Sequence, residues 1–307
     1  MANPTLFIDG EHGTTGLQIR ERMADRRDVE ILHIAHADRH DVGKRRELLN
    51  EADFAILCLP DAAAREAVAM IESDTRIIDT STAHRVAEGW AYGFAEALPG
   101  QRALIAASNH VSNPGCYSTG AIGLLAPLVA ANLVPGDYPI TINAVSGYTG
   151  GGKALIAQME NAEASDHIAE SHFVYALALA HKHVPEIVER AGLTRKPIFS
   201  PAVARFAQGM AVQIPLHLEL TNARSRADVH AVLQNHYAGQ EIVRVAPLTE
   251  TDSAPRLAGE AFAGSDTMEL HVCGNDDQVN LVALLDNLGK GASGAAVQNL
   301  DIMIAGQ

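Results

Sequence analysis

The chain has 307 residues, a length that accommodates two domains of roughly 100–200 residues each. Hydrophobic residues make up 47% and charged residues 20%, the balance of an ordinary globular protein rather than a disordered or fibrous one. A formal net charge of −14 excludes the broad basic face of a nucleic-acid binder, while leaving room for a local basic pocket around a small anion. The longest apolar run, 121–134, is broken by Pro127 and falls short of the ~18–20 residues that a spanning helix needs, so no membrane partner is expected. The N-terminal stretch lacks a basic head followed by a long apolar segment, and a cytoplasmic location is expected. Cys58, Cys116 and Cys273 are scattered without CxxC pairs, which fits a reducing compartment and argues against disulfides or structural zinc.

In chain order, Thr5–Asp9 reads as a buried strand, 10–16 as a glycine turn, and Leu17–Met23 as the start of a helix. Strands follow at Val29–Ile34, Phe54–Leu59, Arg76–Asp79 and Ala103–Ala107, with helices at Arg45–Asn50 and Ala62–Ile71. Apolar strands alternating with amphipathic helices predict an α/β domain over 1–115, built on a mainly parallel sheet covered on both faces. Beyond it the pattern changes. A helix at Ser118–Ala131, a strand at Tyr138–Val145 and a helix at Lys153–Asn161 come first. Strands at Pro197–Val203, Ala211–Leu220, Ile242–Val245 and Met268–Cys273, with one helix at Ser225–Tyr237, predict an α+β domain over 116–286 on a mixed or antiparallel sheet. The segment 287–307 carries Ala296, Val297, Leu300, Met303 and Ile304 at helical spacing and is expected to pack back on the first domain.

The turn Gly10-x-x-Gly13-x-x-Gly16 follows a strand and opens a helix, a context that lets backbone amides approach a pyrophosphate. Thr14 and Thr15 add hydroxyl donors. The spacing departs from GxGxxG, so the motif carries little specificity alone. Where a ribose-reading residue belongs stand Asp38 and Arg39, followed by Lys44, Arg45 and Arg46. The basic majority favours NADPH over NADH, while Lys44–Arg46 reads equally well as a solvated helix face.

Asn113–Gly120 is the most informative stretch. Pro114 and Gly115 force a turn before an apolar helix, which puts Cys116 at a helix N-terminus, where a thiolate and a nearby oxyanion are both stabilised. Position alone fits a reactive thiol and a buried structural one equally; Cys58 and Cys273, on strands, read as core. Tyr175 precedes His181-Lys182-His183-Val184-Pro185-Glu186, in which an imidazole could act as acid or base and Glu186 could orient it. A surface turn before a helix is the alternative, and no third ligand supports a metal. The bend Ser146–Lys153 resembles a phosphate loop superficially, but alanine follows its lysine, so an ATPase is set aside. In the polar loop Asp79–Arg85, Arg85 is a candidate clamp for a carboxylate or phosphate.

The stretches IDGEHGTTGLQI, CLPDAAA, DTSTAHR, SNPGCYSTG, SGYTGGGK, HKHVPEI and DNLGKGASGAAVQN, spread from Ile8 to Asn299, together resemble the N-acetyl-gamma-glutamyl-phosphate reductase family in its shorter, type 2 variety. The resemblance implies an NADP(H)-binding Rossmann domain and a catalytic and oligomerisation domain like the C-terminal domain of phosphorylating glyceraldehyde-phosphate dehydrogenase. It also implies homodimers or homotetramers, a place in arginine biosynthesis, and an acyl phosphate and phosphate as small-molecule partners. It assigns the nucleophilic thiol to Cys116 and the acid–base to the His181/His183 pair, His181 preferred, with Tyr175 and Glu186 in support. Gly10, Gly13, Thr14, Thr15, Gly16, Arg39, Ser81, Asn287 and Gly291 would hold the cofactor, and Arg85, Asn113, Ser146 and Gly147 the substrate. One departure is Gly93–Ala97, where the family has a Pro-Glu-Leu segment, so Glu96 is given no role. Reductases of aspartyl phosphate or of a carrier-bound aminoadipyl phosphate are the nearest alternatives.

Overall fold

The computed structural model describes residues 3–306, which fall into two compact units. The first takes the chain up to Ala95, then Pro99–Pro114, then the segment from Ala292; the second takes Glu96–Leu98 and Gly115–Gly291.

The first unit contains β1 (Thr5–Asp9), α1 (Thr14–Met23), β2 (Glu30–Leu32), α2 (Val42–Glu51), β3 (Phe54–Leu57), α3 (Asp61–Ala69), β4 (Arg76–Asp79), β5 (Ala91–Tyr92), α4 (Gln101–Ala107) and β6 (His110–Ser112). Its six strands form an all-parallel sheet in the order β2-β1-β3-β4-β6-β5. Side chains alternate across the pleat, and both faces are apolar. Leu6, Ile8, Phe54, Ile56 and Ile78 share a core with Ile19 and Met23 of α1. Phe7, Ala55, Leu57 and Ile77 meet Leu49 of α2 and Ala67 of α3 on the other face.

Ala103–Ala107, expected as a strand, is instead part of helix α4. A short apolar run has no period of its own, and here three alanines in seven residues favour helix. Leu104 faces solvent while Ile105 alone of the helix is buried. The strand that takes the expected place in the sheet is β6, which pairs with β4.

The second unit contains α5 (Cys116–Ala130), β7 (Thr141–Gly147), α6 (Gly152–Glu160), β8 (His172–Val174), α7 (Val184–Arg190), β9 (Ile198–Ala204), β10 (Met210–His217), α8 (Arg226–His236), β11 (Val243–Val245), α9 (Leu248–Ser253), β12 (Met268–Gly274) and β13 (Gln278–Leu285). The sheet order is β11-β12-β13-β10-β7-β9-β8, with parallel pairs only at β11/β12 and β7/β9. β13, which sequence patterning did not single out, lies between β12 and β10 and pairs with both along its length. A π-helical turn, Gly289–Ser293, leads into α10 (Gly294–Ala305), whose Ala296, Leu300, Ile302 and Met303 join the core of the first unit. Among the described residues no helix is long and apolar enough to cross a membrane.

Helix α5 is buried continuously from Tyr117 to Leu128 and contains Pro127. Proline has no N–H to give the carbonyl four residues back, that of Gly123. The Tyr237 hydroxyl donates to that carbonyl at 2.8 Å, so the lost bond is replaced from the end of α8. Burial raises the Tyr237 pKa, which keeps the phenol protonated as the donor.

Glu96 and Lys290, 194 residues apart, form a 2.6 Å ion pair with both side chains 2% exposed. Removing one charge strands the other in a desolvated site. Glu96→Gln is therefore expected to lose roughly 3–5 kcal/mol, seen as a lower urea midpoint at unchanged slope. The apolar double variant Glu96→Leu/Lys290→Met should lose less than the single substitution, as measured in the same denaturation experiment.

Candidate active site

The site in the second unit is built on the start of α5. Gly115 caps the helix in an extended conformation, and neither a capping side chain nor an acidic residue occupies the first turn. Amides at the start of a helix have no acceptor within it, and together with the dipole they favour negative charge at that end. Cys116 is the first helical residue and is partly exposed. The Gly115 N–H donates to Glu186 Oε2 at 3.3 Å, so a buried carboxylate on α7 holds the turn that presents the thiol. Burial pushes the Cys58 thiol up to about 12 and also raises that of Cys273.

Cys116 opens onto a cavity of about 360 Å³. Ser146, Gly147, Tyr175 and His181 line it too, so five residues singled out from the sequence meet at one place. Tyr117, Gly150, Gly151, Leu155, Phe173, Lys182 and Val203 complete the wall. Sequence reading had no signal for the apolar members, because they come from α6, β8 and β9 and converge only through the fold.

His181 has a defined orientation. The His183 backbone N–H donates to its Nδ1 at 3.1 Å, so Nδ1 is an acceptor and the neutral ring carries its proton on Nε2. Nε2 lies 3.3 Å from the Tyr175 hydroxyl oxygen. Burial pushes the Tyr175 phenol up to about 12, so it stays neutral at physiological pH. Edge-on contacts with Tyr117, Tyr175 and Phe199 at 5.1–5.9 Å between ring centres fix the imidazole plane. His183 is buried behind it, with Nε2 4.0 Å from Glu186 Oε1, and does not line the cavity.

Of the two residues expected near a nicotinamide, Asn287 is buried, accepting from Gly209 N–H at 2.9 Å and donating to Thr149 Oγ1 at 3.0 Å. It ties the bend after β7 to the turn before β10. Gly291, in the π-helical turn, lies against Cys116: a Cβ there would stand 2.8 Å from Cys116 Cβ and 2.9 Å from the Asp286 carbonyl oxygen.

The remaining residues belong to the first unit. Gly10 has φ +89°, and a Cβ there would meet the Cys58 carbonyl oxygen at 2.4 Å. A Cβ on Gly16 would meet the Gly10 carbonyl oxygen at the same distance, so the turn requires glycine at both positions. Gly13 caps α1 without a side chain, and Thr14 and Thr15 open the helix with no acidic residue in its first turn, an arrangement suited to an anionic phosphate. The basic run resolves into separate ion pairs: Lys44 with Asp38 at 2.5 Å, buried Arg45 with Asp9 at 2.7 Å, and Arg46 with Glu72 at 3.3 Å. Arg39 donates to the His36 carbonyl at 2.7 Å, and the His36 ring stands 4.7 Å from that of His12 in the glycine turn. Ser81 donates its hydroxyl to buried Asp79, which also faces His84 Nδ1 at 2.6 Å. The Arg85 guanidinium donates to the Asn113 and Thr80 carbonyls, and the Asn113 amide bridges the Ala292 carbonyl and Asn299 Nδ2. Among the described residues no cluster of three or more His, Cys, Asp or Glu could hold a metal ion.

Residues 116–287 match the family model for the semialdehyde dehydrogenase dimerisation domain. The whole fold is that of aspartate semialdehyde dehydrogenase II from Vibrio cholerae, with a TM-score of 0.72, 16% identity and 99% of both chains covered. Aspartate semialdehyde dehydrogenase with NADP from Candida albicans gives a TM-score of 0.67 at 13% identity, again over 99% of each chain. The family-model match over residues 116–287, more than half of the chain, places the protein in the semialdehyde dehydrogenase class. N-acetyl-gamma-glutamyl-phosphate reductases from Rhizobium johnstonii and Brucella ovis are each 60% identical to it over 98% of this chain and 99% of their own. The chain belongs to the N-acetyl-gamma-glutamyl-phosphate reductase family.

Two outcomes check this geometry. At pH 8 a thiol of pKa about 12 is ionised to about one part in 10⁴, so iodoacetamide followed by peptide mass spectrometry should label Cys116 and leave Cys58 intact. Gly291→Ala should displace Cys116 and cut turnover roughly 10²-fold while leaving the circular dichroism spectrum unchanged.

Proposed function

We propose that this protein reduces N-acetyl-γ-glutamyl phosphate to N-acetylglutamate semialdehyde and phosphate with NADPH, through a thioester on Cys116, as a cytoplasmic step of arginine biosynthesis. The observation that carries the reading is Cys116 on the uncapped first turn of α5, sharing a cavity with His181.

The Cys116 thiolate attacks the acyl carbon, a carbon–sulfur bond forms, and the carbon–oxygen bond to phosphate breaks. The oxygen of the tetrahedral adduct takes hydrogen bonds from the α5 first-turn amides and from His181 Nε2–H. When bound, a nicotinamide would supply the hydride that reduces the thioester. Gly10, Gly13, Gly16, Thr14 and Thr15 would hold its pyrophosphate at the start of α1. Arg39 would meet the 2′-phosphate, and the pairing of Asp38 with Lys44 reduces the repulsion that this carboxylate would otherwise offer. Collapse of the reduced adduct restores the carbonyl and returns the thiolate, so the second half of the reaction needs no net proton. Glu186 acts by holding the Gly115 turn. Tyr175, neutral at working pH, and His183, through its backbone N–H, set the orientation of His181. The match to a dimerisation domain supports assembly as a homodimer or homotetramer.

The test is oxidation of N-acetylglutamate semialdehyde, followed as NADP-dependent absorbance with and without phosphate, beside aspartate semialdehyde. Cys116→Ala should abolish turnover and retain NADPH binding; undiminished turnover refutes the thioester. His181→Asn should lower kcat roughly 10²–10⁴-fold. The same loss confined to His183→Asn would transfer the role.

A further inference from the structure

Lys182 lies between the two histidines of the His181–Glu186 stretch without a role assigned to it there, yet it lines the cavity beside Cys116 and His181. It is the one lysine or arginine among the lining residues, which include no aspartate or glutamate. Its backbone is fixed by its neighbours: His183 N–H donates to His181 Nδ1, and Val184 N–H donates to the His181 carbonyl at 3.0 Å. Lys182 therefore leaves a closed turn directly after the His181 imidazole. The side chain is exposed at the cavity rim.

We propose that Lys182 anchors the α-carboxylate of the acyl substrate and selects for an N-acylated amino acid. The proposal rests on the thioester reading only for placing the substrate in this cavity. Once phosphate has left, the α-carboxylate is the only formal charge on the enzyme-bound acyl group, and Lys182 is the cavity's one cation. A free α-amino group would bring an ammonium beside that lysine with no wall carboxylate to balance it. Acetylation removes this charge, and Leu155, Phe173 and Val203 offer apolar surface for the acetyl methyl. An exposed charge pair contributes modestly, so the effect belongs in substrate affinity rather than in the chemical step.

The experiment uses full-length protein in the aldehyde-oxidising direction. Lys182→Met should raise KM for N-acetylglutamate semialdehyde roughly 10-fold, leave KM for phosphate within about 2-fold, and be largely rescued by Lys182→Arg. With 4-acetamidobutanal, which keeps the acetamido group but lacks the carboxylate, Lys182→Met and wild type should have equal kcat/KM. Calorimetric binding of N-acetylnorvaline, which carries the carboxylate and acetyl group but no reactive carbonyl, should weaken about 10-fold in Lys182→Met. That binding does not depend on turnover, so it judges the anchor even if the thioester reading fails. Unchanged N-acetylnorvaline affinity, a rise in KM for phosphate instead of aldehyde, or an equal loss with 4-acetamidobutanal would each overturn the assignment.

Discussion

The proposed chemistry depends on the start of α5, which has no side-chain cap, where a cysteine takes the first helical position and a buried glutamate holds the preceding glycine. Helix ends ordinarily satisfy their amides with a Ser, Thr, Asp or Asn side chain. Here the cap is glycine, so the field at this end remains available to charge that develops on a substrate. The demands on the surrounding structure follow. Gly291 must lack a side chain because Cys116 already occupies that space. The π-helical turn that carries Gly291 is fixed by the Asp286 carbonyl, which accepts from Gly291 N–H at 2.9 Å.

Rigidity in the second unit comes from replacing what the helix itself lacks. Pro127 would leave a carbonyl unsatisfied within the stretch of α5 buried from Tyr117 to Leu128, and the tyrosine that ends α8 supplies the donor. Lys290 would be an isolated charge in the interior, and Glu96 neutralises it. Both repairs join residues far apart in sequence, and the first of them acts directly on the helix bearing the thiol.

What was legible in the sequence was local. The glycine turn and the position of Cys116 at a helix start are each written in fewer than ten consecutive residues, and the strand-to-helix alternation is a succession of short runs along 1–115. The structure corrects the reading wherever the deciding contact was remote. Ala103–Ala107 is helical with Ile105 alone buried, and it is β6, three residues on, that pairs with β4. β13 is a central strand because β10 and β12 flank it. The run Lys44–Arg46, legible as a basic patch, is instead divided among three separate carboxylates. Glu96 was given no role for lack of a motif, although it closes a buried ion pair. At the candidate site the polar members were identifiable from sequence, whereas Leu155, Phe173 and Val203 take part only through folding.

The orientation of His181 has one more consequence. In the proposed reaction, a ring whose Nδ1 is engaged by a main-chain N–H presents its Nε2–H in a fixed direction. Its influence on the reacting oxygen is then a matter of direction. A dipole locked by the peptide chain performs the same task on every turnover without having to be reset by solvent.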